Sequence, residues 1–470
     1  MSALSQTAKL SQPAPTPASP QAASSAAQLG TASNPTASTK SHLSVYLSGK
    51  LCGALTEDRH GSISFAYNPE YQGVQLSLSM PVGLAAYKDR VIRPFLMGLL
   101  PDDESTRASI AAPHGISADN PYRLLQIIGL DCPGAVQVCA SQGQQLKLET
   151  AADLRPLSDG EIAEKLKAVK QDAASAWTGA ATAAGHWSLG GCQAKFALRR
   201  MGETWCECAG AAATTHILKP GVAGYDHQAL VEFLSMKIAY EVGIPVANVD
   251  YRLFDDQPAI VIERYDRYVR LDGCVERIHQ EDLCQALGVY PASKYAEQGG
   301  PATPDIIGLL RKTGQNSREN VYRFILYLFF NYLIGATDAH AKNHSLLFVA
   351  PGDVRLAPLY DVASIAPYAS LRPTQRKPVR AALSIGGENR FGKVGAQSIA
   401  KMVETCRLDE LDLGEQLLHG QMKAMAEMLP AAVDSVLKSA NDQQIPGTEH
   451  IADSLRSEIQ ANCERTLQLL

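Results

Sequence analysis

The chain has 470 residues, 46% of them hydrophobic and 19% charged, with a formal net charge of −5. That is ordinary globular composition, and the length predicts two to four structural units with more than one buried core. The weak negative charge excludes an electrostatic case for broad nucleic-acid or membrane binding.

Residues 1–42 form an Ala/Ser/Pro-rich tail whose only charged side chains are Lys9 and Lys40. Such a segment buries too little apolar surface to offset its ordering entropy, so disorder is expected. It has no apolar h-region of a signal peptide and, lacking Arg, is a poor transit peptide. Alternation at 43–47 and 51–55 around Gly49-Lys50 predicts a hairpin. A helix is expected over 121–130, ending near Gly129, and an N-terminal α+β unit over 43–150. A helical connector is expected over 158–173. Strands are expected at 187–191, 195–199, 216–219, 249–254 and 259–264, with a helix at 226–242 stopped by Gly243-Ile244-Pro245. From about 280 onward the pattern is mainly helical, broken by one hairpin at 344–360. The apolar stretch 321–336 contains Arg323 and Asn331 and is short for a bilayer, so it reads as a buried helix. The ten cysteines include no C-x-x-C pair, which argues against zinc and fits a reducing cytoplasm.

The chemistry-bearing residues begin with Asp338-Ala-His340-Ala-Lys342-Asn343, which closes the apolar helix. Phosphoryl transfer needs a carboxylate to orient and deprotonate the acceptor hydroxyl, and an amide oxygen nearby to hold magnesium. Asp338 and Asn343 have the spacing of a kinase catalytic loop, and Lys342 can neutralise charge on the moving phosphoryl group. A polar helix-to-strand loop has a similar composition. Asp361, after the hairpin, suits a second magnesium ligand folded back over the first loop; a simple strand-end aspartate reads the same way. Ser188-Leu-Gly190-Gly191-Cys192-Gln193-Ala194-Lys195 places two glycines where backbone N–H groups can approach phosphate, although Gly-Gly is also a common turn. Lys219 closes the next strand and can pair with ATP phosphates, with Glu232 on the following helix to hold it. The strand ending at Glu263-Arg264-Tyr265-Asp266 suits a hinge between two lobes. The order of these pieces is that of a protein kinase.

Several strings resemble the HipA-like serine/threonine kinase toxins of bacterial toxin–antitoxin systems: Gly129-Leu-Asp-Cys-Pro-Gly-Ala-Val136, the loop Ser188 to Lys195, Thr215-His-Ile-Leu-Lys219, Glu263-Arg-Tyr-Asp-Arg267, Gln280-Glu-Asp-Leu-Cys-Gln285, Gly335-Ala-Thr-Asp-Ala-His-Ala-Lys-Asn343 and Leu359-Tyr-Asp361. The similarity runs from about 43 to the C-terminus. It implies an α+β, bilobed, protein-kinase-like fold: a small N-terminal α+β subdomain at 43–150, an N-lobe with phosphate loop and hinge at 151–267, and a mainly helical C-lobe at 268–470. The resemblance implies Asp338 as catalytic base and Asn343 and Asp361 as Mg2+ ligands. ATP would be held by Gly190, Gly191, Cys192, Gln193, Ala194, Lys195, Lys219, Glu263, Arg264, Tyr265, His340, Lys342 and Tyr360. Ser188 matches a serine that family members autophosphorylate to switch themselves off.

The resemblance further implies a cytoplasmic enzyme with no membrane association. Its substrate would be an aminoacyl-tRNA synthetase, the glutamyl enzyme being best known, and the outcome would be growth arrest and persistence. Its partner would be a helix-turn-helix, HipB-like antitoxin, with operator DNA reached only through that antitoxin. Cys192, Tyr265 in place of the usual phenylalanine, and Val362-Ala363 after Asp361 depart from the pattern. Two other readings are a small-molecule or lipid kinase on the same fold, and a non-catalytic DNA-regulatory subunit. The retained Asp338, Asn343 and Asp361 argue against the second, since a binding module needs no general base.

Overall fold

The computed structural model describes residues 42–83, 85–140, 153–177, 187–371 and 379–470, all within one compact unit. The tail expected to be disordered, apart from His42, lies outside the described residues.

Apolar side chains gather in three cores. The first lies in the N-terminal region, where five antiparallel strands run in the order Tyr87–Lys88, Ile63–Tyr67, Lys50–Glu57, His42–Leu47 and Val136–Cys139. The expected hairpin is its centre. Helices Asp89–Gly98 and Pro121–Ile128 pack against this core. Asn120 caps the second through the Arg123 N–H, Pro121 supplies the first turn's fixed φ, and the helix stops at Gly129 as expected.

The second core lies under a six-stranded antiparallel sheet, ordered Val249–Phe254, Gln257–Glu263, His216–Lys219, Phe196–Met201, Thr204–Cys208 and Leu154–Leu157. Helix Asp159–Gln171 begins with a Ser158–Glu161 capping box and buries Ile162, Leu166 and Val169 in this core. The segment expected to be a connector is therefore a packed element of the sheet layer. A second expectation also changes. The arm 187–191 is no strand of this sheet: Trp187 bridges to Asp131 and Gly191 to Pro101, both in the N-terminal region. Unlike 195–199, whose Phe196-Ala197-Leu198 is a continuous apolar run, it ends in Gly190-Gly191, which carry no side chains to pack in a ladder.

The third core holds the helical C-terminal part, centred on helix Ser317–Leu333, which buries Phe324, Tyr327, Phe329, Phe330 and Tyr332. Each such burial contributes about 2 kcal/mol. Helix Gln228–Glu241 is apolar on nearly every face and belongs to this same core while packing on strands Val249–Phe254 and Gln257–Glu263, so it couples sheet and helices. The expected hairpin is present as Ser345–Ala350 and Asp353–Leu356, joined by His279–Asp282 into a three-stranded sheet. A second hairpin, Arg380–Ile385 with Glu388–Arg390, was not anticipated within the helical part. Its second strand has only three residues, all polar, so the pair offers no second apolar run to signal a hairpin. Among the described residues, no helix is long and apolar enough to cross a membrane.

Candidate active site

The catalytic-loop candidate leaves helix Ser317–Leu333 through Gly335 at φ 74°. Ala336 then bridges to Ser364, bringing the chain before Asp338 beside the chain after Asp361. The loop is closed from within. His340 N–H donates to the Asp338 carbonyl at 2.9 Å, Asn343 N–H to the His340 carbonyl at 3.0 Å, and Asn343 Nδ2 to the Asp338 carbonyl at 2.8 Å. The five-residue spacing thus lets Asn343 lock the backbone of Asp338 while its own Oδ1 is unused in that bond.

Asp361 is placed by Leu359, whose backbone exchanges hydrogen bonds with Pro245 and Ala247 just after helix Gln228–Glu241. Asp361 itself has φ 58°, a left-handed conformation uncommon for a residue with a Cβ and concentrated at functional sites. Its Oδ1 accepts from Lys219 Nζ at 2.5 Å, and the same ammonium donates to Glu232 Oε1 at 2.7 Å. The pairing of Lys219 with the helix glutamate, expected from the sequence, is therefore formed. Burial alone would raise the Asp361 carboxyl, but Lys219 and Lys195 outweigh it and hold Asp361 down to about 2. Burial pushes the Glu232 carboxyl up and Lys219 only partly offsets this. Lys219 is held charged by both acids against the effect of its burial.

The loop Ser188 to Lys195 covers these groups. Gly191 has φ 97°, and a Cβ at Gly190 would lie 2.8 Å from the Gly98 carbonyl, so both glycines are needed for the path taken. Lys195 Nζ donates to the Gly190 carbonyl at 2.7 Å, and burial with the neighbouring Lys219 holds its ammonium down to about 8. Gln193 meets Gln228 at 3.0 Å, and Cys192 is exposed. Ser188 is fully buried; its hydroxyl donates to the Leu99 carbonyl at 2.6 Å.

Two adjoining cavities result. One is lined by Gly190, Ile217, Lys219, Ile262, Glu263, Arg264, Tyr265, Gln280, Asn343, Tyr360 and Asp361, with apolar walls toward the sheet and cations toward the loop. The other is lined by Cys192, Gln193, Lys294, Tyr295, Asp338 and His340. They share Gly191, Lys195, Lys342, Asn343 and Asp361. Asp338 is 68% exposed and opens only to the second, where Tyr295 donates to its Oδ1 at 2.6 Å. His340 is buried with its Nε2 3.9 Å from that same oxygen, and burial lowers its pKa, which favours the neutral ring.

Some expected contacts are committed elsewhere. The Arg264 guanidinium turns away to Asp266, Thr214 and the Cys132 carbonyl, and its backbone N–H donates to the Thr215 carbonyl. Asp131, Asp266, Arg264, Arg267 and Arg277 form one buried ion cluster there. Lys342 Nζ is spent on Asp282 at 2.7 Å and the Gly98 carbonyl at 3.1 Å. Tyr360 donates to the Lys342 carbonyl and lies beside Tyr265, with ring centroids 5.7 Å apart. Ala194 packs against the sheet core. Asp102, Asp282, Lys294 and Tyr295 are the site residues that sequence reasoning missed. Lys294 meets Asp102 across a separation of 192 residues, and neither sits in a recognisable motif. Only the Lys294-Tyr295 pair, two reactive types together in an otherwise bland loop, offered a faint signal.

A sheet lobe and a helical lobe clasping a paired Lys–Glu–Asp, with a loop carboxylate opposite, define a kinase-like fold. The comparisons place it further. Residues 43–139 match the HipA N-terminal domain and residues 187–437 the HipA-like C-terminal domain. The Sinorhizobium fredii protein Y4mE is 35% identical over 88% of this chain and 96% of its own length. The serine/threonine-protein kinase toxin HipA of Shewanella oneidensis is 26% identical over 91% of this chain and 95% of its own. The solved structure of Shewanella oneidensis HipA with HipB and operator DNA superposes with a TM-score of 0.75 at 26% identity, covering 91% of this chain and 98% of that one. The chain belongs to the HipA-like serine/threonine-protein kinase toxin family.

Proposed function

We propose that the chain transfers the γ-phosphoryl group of ATP to a serine or threonine hydroxyl of a protein, with Asp338 as general base. The observation that carries this reading is the meeting of two cavities at Asn343 and Asp361, with Lys219 behind and Asp338 in the acceptor cavity. ATP fills the first cavity with adenine against Glu263 and Tyr265 and its phosphates under Gly190 to Lys195. Lys219 is kept charged and aimed by Glu232 and Asp361. The acceptor hydroxyl gives its proton to Asp338 as its oxygen bonds to phosphorus and the bond to the ADP oxygen breaks.

The donor set fits magnesium: a carboxylate held ionised at Asp361 and an amide oxygen at Asn343 are hard oxygen donors that would hold the ion. When bound, the ion neutralises phosphate charge. The chain's own residues supply the positioning, since Asn343 ties its side chain to the Asp338 backbone and so fixes the base and the ligand in one loop.

Ser188 is the proposed autophosphorylation site. A phosphate dianion cannot occupy a fully buried position against the Leu99 carbonyl, so modification drives the loop out and removes its phosphate contacts. Family membership supports a HipB-like helix-turn-helix antitoxin as partner and DNA contact through it. It also supports an aminoacyl-tRNA synthetase, glutamyl-tRNA synthetase first among them, as the substrate whose modification halts translation and promotes persistence.

The test uses labelled ATP with wild type, Asp338→Ala and Ser188→Ala. Wild type labels itself on Ser188 and labels a host protein; Asp338→Ala labels neither; Ser188→Ala keeps the host label and loses self-inactivation. Wild-type rates in Asp338→Ala, or phosphate absent from Ser188 in antitoxin-free active protein, refute the corresponding assignment.

A further inference from the structure

The phosphate loop is seated on the N-terminal domain. Trp187 and Gly191 form parallel bridges to Asp131 and Pro101. Ser188 N–H donates to the Asp131 carbonyl at 2.9 Å and its hydroxyl to the Leu99 carbonyl. Asp102 N–H donates to the Gly191 carbonyl at 3.3 Å, and Gly191 N–H donates back to Asp102 Oδ1 at 3.2 Å. Asp102 lies between helices Asp89–Gly98 and Glu104–Ala111, far in sequence from every residue of either kinase loop.

The Asp102 carboxylate does more than accept one amide. Its side chain is 5% exposed, with Lys294 Nζ at 2.9 Å and Lys342 Nζ at 3.7 Å. Burial alone would raise the carboxyl, but Lys342 and Lys294 outweigh it and hold Asp102 down to about 2, so it is ionised near neutral pH. Lys342 belongs to the catalytic loop, and Lys294 neighbours Tyr295, which holds Asp338. One buried anion therefore joins the phosphate loop, the catalytic loop and the acceptor wall. Removing it leaves the Lys294 ammonium without its carboxylate, while Lys342 keeps Asp282, and releases the anchored Gly191 amide.

We infer that Asp102 is a positioning residue for ATP, holding the phosphate loop on the N-terminal domain so that this domain completes the nucleotide site. The inference rests on the kinase reading above. Release of the loop requires breaking the Asp102 and Leu99 contacts together, which couples the loop's position to the N-terminal domain.

The test compares wild type with Asp102→Asn, which keeps the shape and an acceptor oxygen, and Asp102→Ala, which removes both. In Asp102→Ala the KM for ATP rises about tenfold, with kcat changing less and Asp102→Asn in between. In nucleotide-free protein, amide hydrogen exchange over 187–195 quickens in both variants while the hairpin 345–356 keeps wild-type rates. An ATP KM at or below the wild-type value in both variants overturns the inference, as does unchanged exchange of the loop. Wild type alone supplies a check that does not depend on how the variants fold: magnesium and ATP slow exchange of 98–102 and 187–192 together, and protection of the loop without 98–102 counts against the seat. A wild type that neither binds ATP nor transfers phosphate refutes the kinase reading instead, and the nucleotide-free exchange comparison still decides whether Asp102 seats the loop.

Discussion

The two loops that close the cleft are held in contrasting ways. The catalytic loop is bound from within by His340, Asn343 and Asp338, and rests on a helix whose aromatic side chains are buried. The phosphate loop is glycine-rich, and most of its anchors belong to a different domain: Leu99, Pro101, Asp102 and Asp131. The first arrangement suits groups whose geometry must not vary during transfer. The second suits a loop that is put in place and withdrawn, because a few hydrogen bonds to carbonyl and carboxylate oxygens break at modest cost while a packed helix does not move alone.

The largest expected effect breaks the rigid half. Asp361→Ala removes the magnesium-ligand candidate and one of the two anions holding Lys219, so phosphate transfer falls by about a thousandfold or more, measured as kcat/KM with a protein acceptor. Retention of activity within tenfold of wild type would place the metal site elsewhere. A middle-sized effect probes the acceptor wall. Tyr295→Phe removes one hydrogen bond to a largely exposed Asp338, so kcat drops by about tenfold while the KM for ATP is unchanged. A change in ATP KM instead would show that Tyr295 serves the nucleotide side.

The smallest effect sharpens the contrast on the loop side. Lys195 loses its proton as pH rises through about 8, because burial and Lys219 disfavour its charged form. Phosphate favours the charged form, so ATP binding weakens above that pH and is at full strength below it. The dissociation constant rises by a factor of about three between about pH 7 and about pH 9, and Lys195→Arg flattens the rise because a guanidinium stays charged. An equally steep rise in the arginine variant would assign the titration to another group.

Much of this was legible along the chain. The apolar run ending at Asp338, the hairpin before Asp361 and the strand ending at Lys219 are local patterns, and each side chain sits where its own element ends. The Lys219–Glu232 pair was readable because strand and helix are consecutive. The arm 187–191 was misread because its partners, Pro101 and Asp131, are remote in sequence, and Gly-Gly carries no sign of which backbone it will meet. What the Arg264 guanidinium pairs with was not legible: it answers Asp266 and the distant Asp131, in a buried cluster where unpaired charge would be costly.

By itself the sequence carried the family resemblance in its motif strings, while periodicity and short-range spacing set the elements and place the candidate phosphate-handling side chains at their ends. The tertiary structure decided which of those charges are free to act. Lys342 and Arg264 are bound to carboxylates, Lys219 is shared between two acids, and Asp338 alone among the principal acids stands open. It also brought Asp102 beneath the phosphate loop. Charge pairing acts through space, and the carboxylate that neutralises a buried cation comes from whichever segment packing delivers.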